Sequence, residues 1–565
     1  MADLVIRDAL LVDGTGAPAQ RGDLAIDDGR IAAMGAGAAC GDRELAADGL
    51  VLAPGFIDLH THYDCQLFWD ATASPSPWHG VTTVVIGNCG FTVAPCRPEH
   101  RETLMRLLSF VEGMPLDTLR AGLPWSWDDY PSYLAALDAQ GVGVNVASFV
   151  GHSAMRVEVM GADAVERAAT PAECEAMARL VREAMDAGAI GWSTSISPTH
   201  FFADDGKPAP SRLAAAAELD AMAGALRASG GGVIEVAPVT TVMGTTEERL
   251  AEVARFADLA RLSGGPVVFA PLFQNPFVDG YEAQCLAEVA RLQAEGTAVI
   301  PQVGCRPLEL RFDFATPGFG LDNNPFWKPF MAQPRAARRR LFADPAFRDE
   351  LRAMSAGYKI ALAATWERLV LRLPGSERTG RWQDRSVVEI AALRGGDPVD
   401  AFCDTVLDDD LEGQWGALVL NVDEDVMAMM MRHPAGVIAL SDAGAHMDTL
   451  CDQGFTTWLL GHWVRERGRF GLEEAVRLVT SVPADRYGLR ARGRLAPGHA
   501  ADLVLFDPAR VGTRKTEMVH DLPQRQRRLL QGADGVEWVF VNGMPVVERG
   551  VPNGRRPGRV LRGGI

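Results

Sequence analysis

Eight short apolar runs, spaced along the middle of the chain, constrain the fold more than any other feature. They are residues 52–60, 82–88, 143–150, 189–194, 232–238, 266–272, 297–303 and 436–441. Each reads as a strand, and helical patterns sit between several of them. AECEAMARLVREAMDAG (172–188) and ERLAEVARFADLARLSGG (248–265) are amphipathic and end near Gly. Eight β/α repeats predict an α/β fold, a (β/α)8 TIM-like barrel whose site lies at the C-terminal ends of the strands. A doubly wound open sheet is the runner-up, but no Gly-rich dinucleotide fingerprint follows the first strand.

The two ends of the chain are different. LVIRDALLVDG and DLAIDDGRIAAMG open it, and ADLVLFDP and VEWVFVNGMPVVERG come near its close. These are short strands with Asp-Gly or Asn-Gly turns. They suggest one small composite β-sandwich from residues 1–52 and 492–565, although two separate β units fit the same pattern. The barrel then occupies 53–491, with a long insertion at about 304–435 that would overhang its mouth.

The formal net charge of −18 argues against nucleic acid or an anionic membrane as partner. No uninterrupted apolar run approaches the ~20 residues of a membrane span. The opening MADLVIRDALLVDG has no secretory pattern, and the nine cysteines are scattered without a CxxC pair. Together these point to a cytoplasmic protein acting on a small molecule. Nothing in the sequence bears on oligomeric state.

Chemistry concentrates at three strand ends. His60 and His62 close the first run, and residues two apart on a strand share a face, as two metal-binding imidazoles must. Cys89, in IGNCGF, ends the second run and Asp442, in VIALSDAGAH, ends the eighth. In a closed barrel strands eight, one and two are neighbours, so a thiolate, two imidazoles and a carboxylate can converge on Zn²⁺. Taken singly, a free Cys is commonly an inert small hydrophobe and Ser-Asp after a strand a helix cap.

The motifs PGFIDLHTHYD, WHGVTTVVIGNCGFTVAP, GHSAMRVEVMG, GWSTS, SDAGAH, LEEAVRLVTSVPADRYGL and GRLAPGHAADLVLFDP resemble the amidohydrolase superfamily. Within it the chain is most similar to the N-acyl-D-amino-acid deacylase, or D-aminoacylase-like, branch. The resemblance implies a metal-dependent hydrolase of carbon–nitrogen bonds other than peptide bonds. It also implies His60, His62, Cys89 and Asp442 as the metal centre, where Asp442 is expected to accept the proton of a zinc-activated water. The loss of the second-site histidines in this chain leaves one Zn²⁺ per chain expected.

Departures from the branch fall on the second metal position and on substrate recognition. The His that ends strand five in the branch is replaced by Ala237, and the His that ends strand six by Pro271 or Leu272. Glu235, Gln274 and Asn275 are the oxygen donors left nearby. The Lys and Arg that grip the substrate carboxylate in the branch are also missing, with Phe273 and MDTLCDQG in their places. Arg306 is the nearest replacement, and His152 and His446 either line the pocket or cap loops. His79 and His200 read as structural or surface residues, and Tyr63 and Asp64 as neighbours of the ligands. Simple N-acetyl-D-amino acids are therefore expected to be poor substrates. A larger, less acidic molecule, held by the insertion around Phe319 and Trp327, is expected instead. Alternatives are a cyclic-amide hydrolase or deaminase-type reaction, and a degenerate, non-catalytic ligand-binding barrel.

Overall fold

The computed structural model describes residues 2–35, 40–202, 206–240, 244–278, 280–316, 321, 324–357 and 364–563. At its centre, eight parallel strands lie side by side in chain order. They are Phe56–Asp58, Val81–Ile86, Asn145–Gly151, Gly191–Ser195, Val233–Ala237, Val267–Leu272, Val299–Val303 and Val437–Ile438. Just beyond the ends of the eighth and first strands, Ala443 and Thr61 form a parallel bridge. The His62 amide donates to the Ala443 carbonyl there at 2.7 Å. The expected (β/α)8 barrel is therefore the fold, and strands eight, one and two are neighbours.

Strand two, VTTVVI, is buried along its whole length. Val85 packs inward with Ile57, Leu59, Phe149, Val268 and Ile300, while Val84 and Ile86 pack into the larger core shared with the surrounding helices. That two-sided burial is why the strands read as apolar runs without alternation. The helices carry explicit stop and start signals. Thr170 and Glu173 form a capping box at the head of Pro171–Ala187, and Gly188 ends that helix at φ +108°. Strands four and five approach so closely that a Cβ on Gly191 would lie 1.8 Å from the Val233 carbonyl oxygen.

Strands from both chain ends join a second sheet. Val51–Pro54 pairs in parallel with Leu4–Leu11 and antiparallel with Leu503–Phe506. Ile6, Leu24, Ile26, Leu52, Leu503, Leu505 and Phe540 form its core. After Pro54 the chain passes through Gly55 directly into barrel strand one, so this β-rich part sets where that strand begins.

The segment after strand seven builds its own sheet from Leu308–Phe312, Gln414–Leu420, Leu369–Leu373 and Arg385–Ser386. Its core is aromatic, with Trp327 fully buried 5.1 Å from Phe314 and among Phe330 and Phe342. This corrects the expectation for Trp327, which fills the insertion's own core and is closed to a substrate. Phe319 lies outside the described residues. Among the described residues, no helix is long and apolar enough to cross a membrane.

Candidate metal centre

The first strand places its two imidazoles 5.3 Å apart, centroid to centroid. His60 Nδ1 is hydrogen-bonded to Gln302 Oε1 at 2.8 Å, and Gln302 in turn donates to the Tyr487 hydroxyl at 2.7 Å. An amide oxygen accepts only, so His60 carries its proton on Nδ1 and turns the Nε2 lone pair toward the cluster. That Nε2 lies 3.5 Å from Cys89 Sγ and 3.4 Å from Asp442 Oδ1. His62 Nε2 is 3.7 Å from the same Asp442 oxygen. The ligand atoms of His60, His62 and Cys89 all lie within 4.8 Å of one another.

Cys89 is delivered by a strained turn. It adopts φ +56°, uncommon for a residue with a side chain, between Gly87 and Gly90, both also at positive φ. A Cβ on Gly90 would sit 2.9 Å from Thr194 Cα, so the turn presses against strand four. Asp64 accepts the Gly87 amide at 3.0 Å, and Glu235 Oε2 accepts the Cys89 amide at 2.7 Å. Leu440, Asp442 and His446, at the end of strand eight, likewise have positive φ.

The centre is short of positive charge. Burial, reinforced by Glu235, Glu112 and Asp442, holds the Cys89 thiol well above its usual range. Burial first, and Asp442 with it, pushes the Glu235 carboxyl up to about 8. Glu112 is raised well above the carboxylate range by burial, with Asp442, Asp64 and Glu235 adding to it. Among the described residues, no Lys or Arg pairs with Asp442, Glu112 or Glu235. A divalent cation reverses this balance and deprotonates a coordinating thiol. The spacing fits as well. Ligands at about 2.0–2.3 Å from tetrahedral zinc stand roughly 3.3–3.6 Å apart, near the separations measured here.

Other predicted residues divide sharply. His446 belongs to the wall of the centre: its amide donates to the Glu112 carbonyl, and its ring contributes to depressing the basicity of His62. His152 does not belong there. It is fully buried, with Nδ1 on Thr194 Oγ1 and Nε2 on Glu218, each at 2.8 Å, and so is committed to an internal network with Arg156. Arg306 is also committed elsewhere, to Asp452 at 3.1 Å and Gln531 at 2.8 Å, beside the Trp458 ring. Neither residue is placed to hold a substrate. Gln274 accepts the amides of Val422 and Asp423, and Asn275 Oδ1 accepts the Phe277 amide, so both brace loops.

Three neighbours of the centre carry no local sequence signal. Glu112 follows the helix Arg101–Val111 and brings Oε1 to 3.4 Å from His62 Nδ1. Gln302 holds His60. His200, read from the sequence as structural or surface, stands edge-on to Phe91 at 5.1 Å and bonds Ser195 Oγ at 2.6 Å. Burial pushes its ring down to about 3. His79 is structural, its ring tied to Thr457 and to the Gln531 carbonyl.

The chain is similar to known proteins along nearly its whole length. The sequence profile described as "Amidohydrolase family" matches residues 43–547. D-aminoacylase of Alcaligenes xylosoxydans xylosoxydans is 31% identical over 565 residues, covering 99% of this chain and 97% of the relative. The crystal structure of N-acyl-D-glutamate deacylase from Bordetella bronchiseptica, complexed with zinc and a phosphonate inhibitor, superposes with TM-score 0.66. It is 27% identical and covers 100% of both chains. A D-aminoacylase structure described by its binuclear metal centre, with "one-metal activation and second-metal attenuation", gives TM-score 0.68 at 27% identity, again over 100% of both chains.

Proposed function

The chain belongs to the amidohydrolase family, and on that premise we propose that it hydrolyses the amide of an N-acyl amino acid. We assign a single Zn²⁺ to His60, His62, Cys89 and Asp442. The observation that carries this reading is the cluster of His60, His62 and Cys89 ligand atoms within 4.8 Å of one another, with Asp442 at 3.4–3.7 Å from the two imidazoles, in a centre otherwise short of cations. The apolar residues at the ends of strands five and six, Ala237 and Leu272, favour one ion over two.

Bound there, zinc supplies Lewis acidity that polarises the scissile carbonyl and lowers the pKa of water. The chain's own groups do the rest. Asp442 is the most open of the four, with 28% of its side chain exposed against 2% for His60 and 4% for His62. It accepts the proton of the attacking water on a carboxylate oxygen and returns it to the departing amine. Gln302 keeps His60 in the tautomer that leaves Nε2 free to coordinate, and Glu235 fixes the turn that presents Cys89. The free state of all nine cysteines supports a cytoplasmic setting. The pairing of both chain ends in one sheet supports the domain division at 1–52 with 492–565 and 53–491.

The test is turnover of a panel of N-acetyl D- and L-amino acids by zinc-loaded protein, alongside elemental analysis. About one zinc per chain and hydrolysis by the wild type are expected. Asp442→Asn should retain metal while kcat falls by roughly 10²–10⁴-fold. Near-normal turnover in that variant would remove Asp442 from proton transfer, and two tightly held ions would overturn the single-metal reading.

A further inference from the structure

The described residues that follow strand four pack against segments that flank the metal centre. Phe201 packs on Phe110, two residues before Glu112, with ring centroids 4.8 Å apart. His200 stands against Phe91, two residues past Cys89, with ring centroids 5.1 Å apart. The loop is pinned from below. Ser211 Oγ donates to the Ser195 carbonyl at 2.8 Å, and Ser153 Oγ donates to Ser211 Oγ at 3.1 Å.

Arg212 lies within this pinned stretch. Its guanidinium donates to the His200 carbonyl at 3.0 Å, which turns the side chain back toward the segment that packs on Phe91. Half-buried, it meets no carboxylate among the described residues, and burial alone lowers its basicity. Three other arginines that are more deeply buried do meet carboxylates: Arg156 meets Glu218, Arg306 meets Asp452, and Arg528 meets Asp521. A guanidinium partly withdrawn from water and left without a counter-ion is a site for an anion, best a planar carboxylate that takes two N–H groups at once.

We propose that Arg212 is the substrate's carboxylate grip, binding the free carboxylate of an N-acyl amino acid whose amide lies at the metal centre. The proposal rests on the hydrolase reading above for the nature of the ligand. It also revises the expectation that the grip was lost with the cations missing after strands six and eight. The cation has moved to the loop after strand four, and Arg306 has no part in it. An anionic substrate entering beside Asp442, Glu112 and Glu235 needs such a partner to offset repulsion.

The test separates binding from turnover. 2-Isobutyl-4-oxopentanoate is N-acetylleucine with the amide N–H replaced by CH₂, so it cannot be hydrolysed, and its primary amide is the neutral control. Calorimetric titration of zinc-loaded wild type should show the acid binding about tenfold or more tighter than the amide. Arg212→Met should abolish that preference with zinc content and amide affinity unchanged. Arg212→Lys, which keeps the charge without the fork, should retain part of it. An acid-to-amide ratio near one in the wild type, or one that survives in both variants, overturns the proposal. A wild type that prefers the acid yet leaves N-acetylleucine intact keeps the grip and sinks the hydrolase reading instead.

Discussion

Cys89 shows how much local strain a single residue holds in place. A side-chain-bearing residue at φ +56° costs of order 1–3 kcal/mol, and here Asp64 and Glu235 offset that by accepting amides of the same turn. Both are buried carboxylates that a cation would favour in their charged form. Cys89→Ala should therefore lower zinc affinity, measured by competition with a chelator, while leaving the barrel folded. Cys451→Ala should not, although Cys451 is equally buried, because it stands outside the cluster that His60, His62 and Cys89 form. Equal zinc affinity in the two variants would return Cys89 to a packing role.

At the scale of elements, the centre depends on strand seven as well as on the strands that carry ligands. Gln302 lies one register step from Val303, which pairs with Ile438 of strand eight, and this places its amide against His60 across the barrel interior. Partners of this kind are commonly worth 10–100-fold in metal affinity. Gln302→Leu should therefore weaken zinc binding by about that factor with the parallel sheet intact, as read by chelator competition and circular dichroism. An unchanged affinity would show that packing alone sets the tautomer of His60. The Glu112 contact with His62 is a similar support, drawn from the helix after strand two.

For the whole molecule, burying so many acids around one centre makes the metal-free protein sensitive to alkali. Asp58 and Asp64 are raised to about 7 and Glu235 to about 8, chiefly by burial, whereas in the unfolded chain they ionise at 3.8 and 4.5. Groups whose folded pKa is raised contribute stability below the unfolded value and lose it as pH rises through the folded value. Buried histidines such as His62 and His79 are shifted down from 6.5, so their opposing contribution is complete once pH exceeds about 6.5. The Tm of metal-free protein should accordingly fall between about pH 6.5 and 8, and Glu235→Gln should flatten part of that slope. Zinc should raise Tm most at the alkaline end, because its ligands bind deprotonated. A metal-free Tm that rises across this window would show that these carboxyls are ionised in the folded state.

Much of this was written in the chain itself. Eight apolar runs specify the barrel because parallel strands covered on both faces must be apolar throughout, and a strand's two-residue period puts His60 and His62 on one side. Counting strands then makes the eighth a neighbour of the first, which is enough to bring Asp442 to His60 across almost 400 residues of sequence. The tertiary structure alone decided what surrounds that core. It sealed His152 beneath Glu218 and Arg156, tied Arg306 to Asp452, and buried Trp327 inside the insertion. It brought Glu112, Gln302 and His200 to the neighbourhood of the centre instead. The reason is physical: a strand fixes the direction of its side chains by local geometry, whereas a loop or helix-end residue is aimed by contacts with distant parts of the chain. Those contacts leave no periodic trace in the sequence.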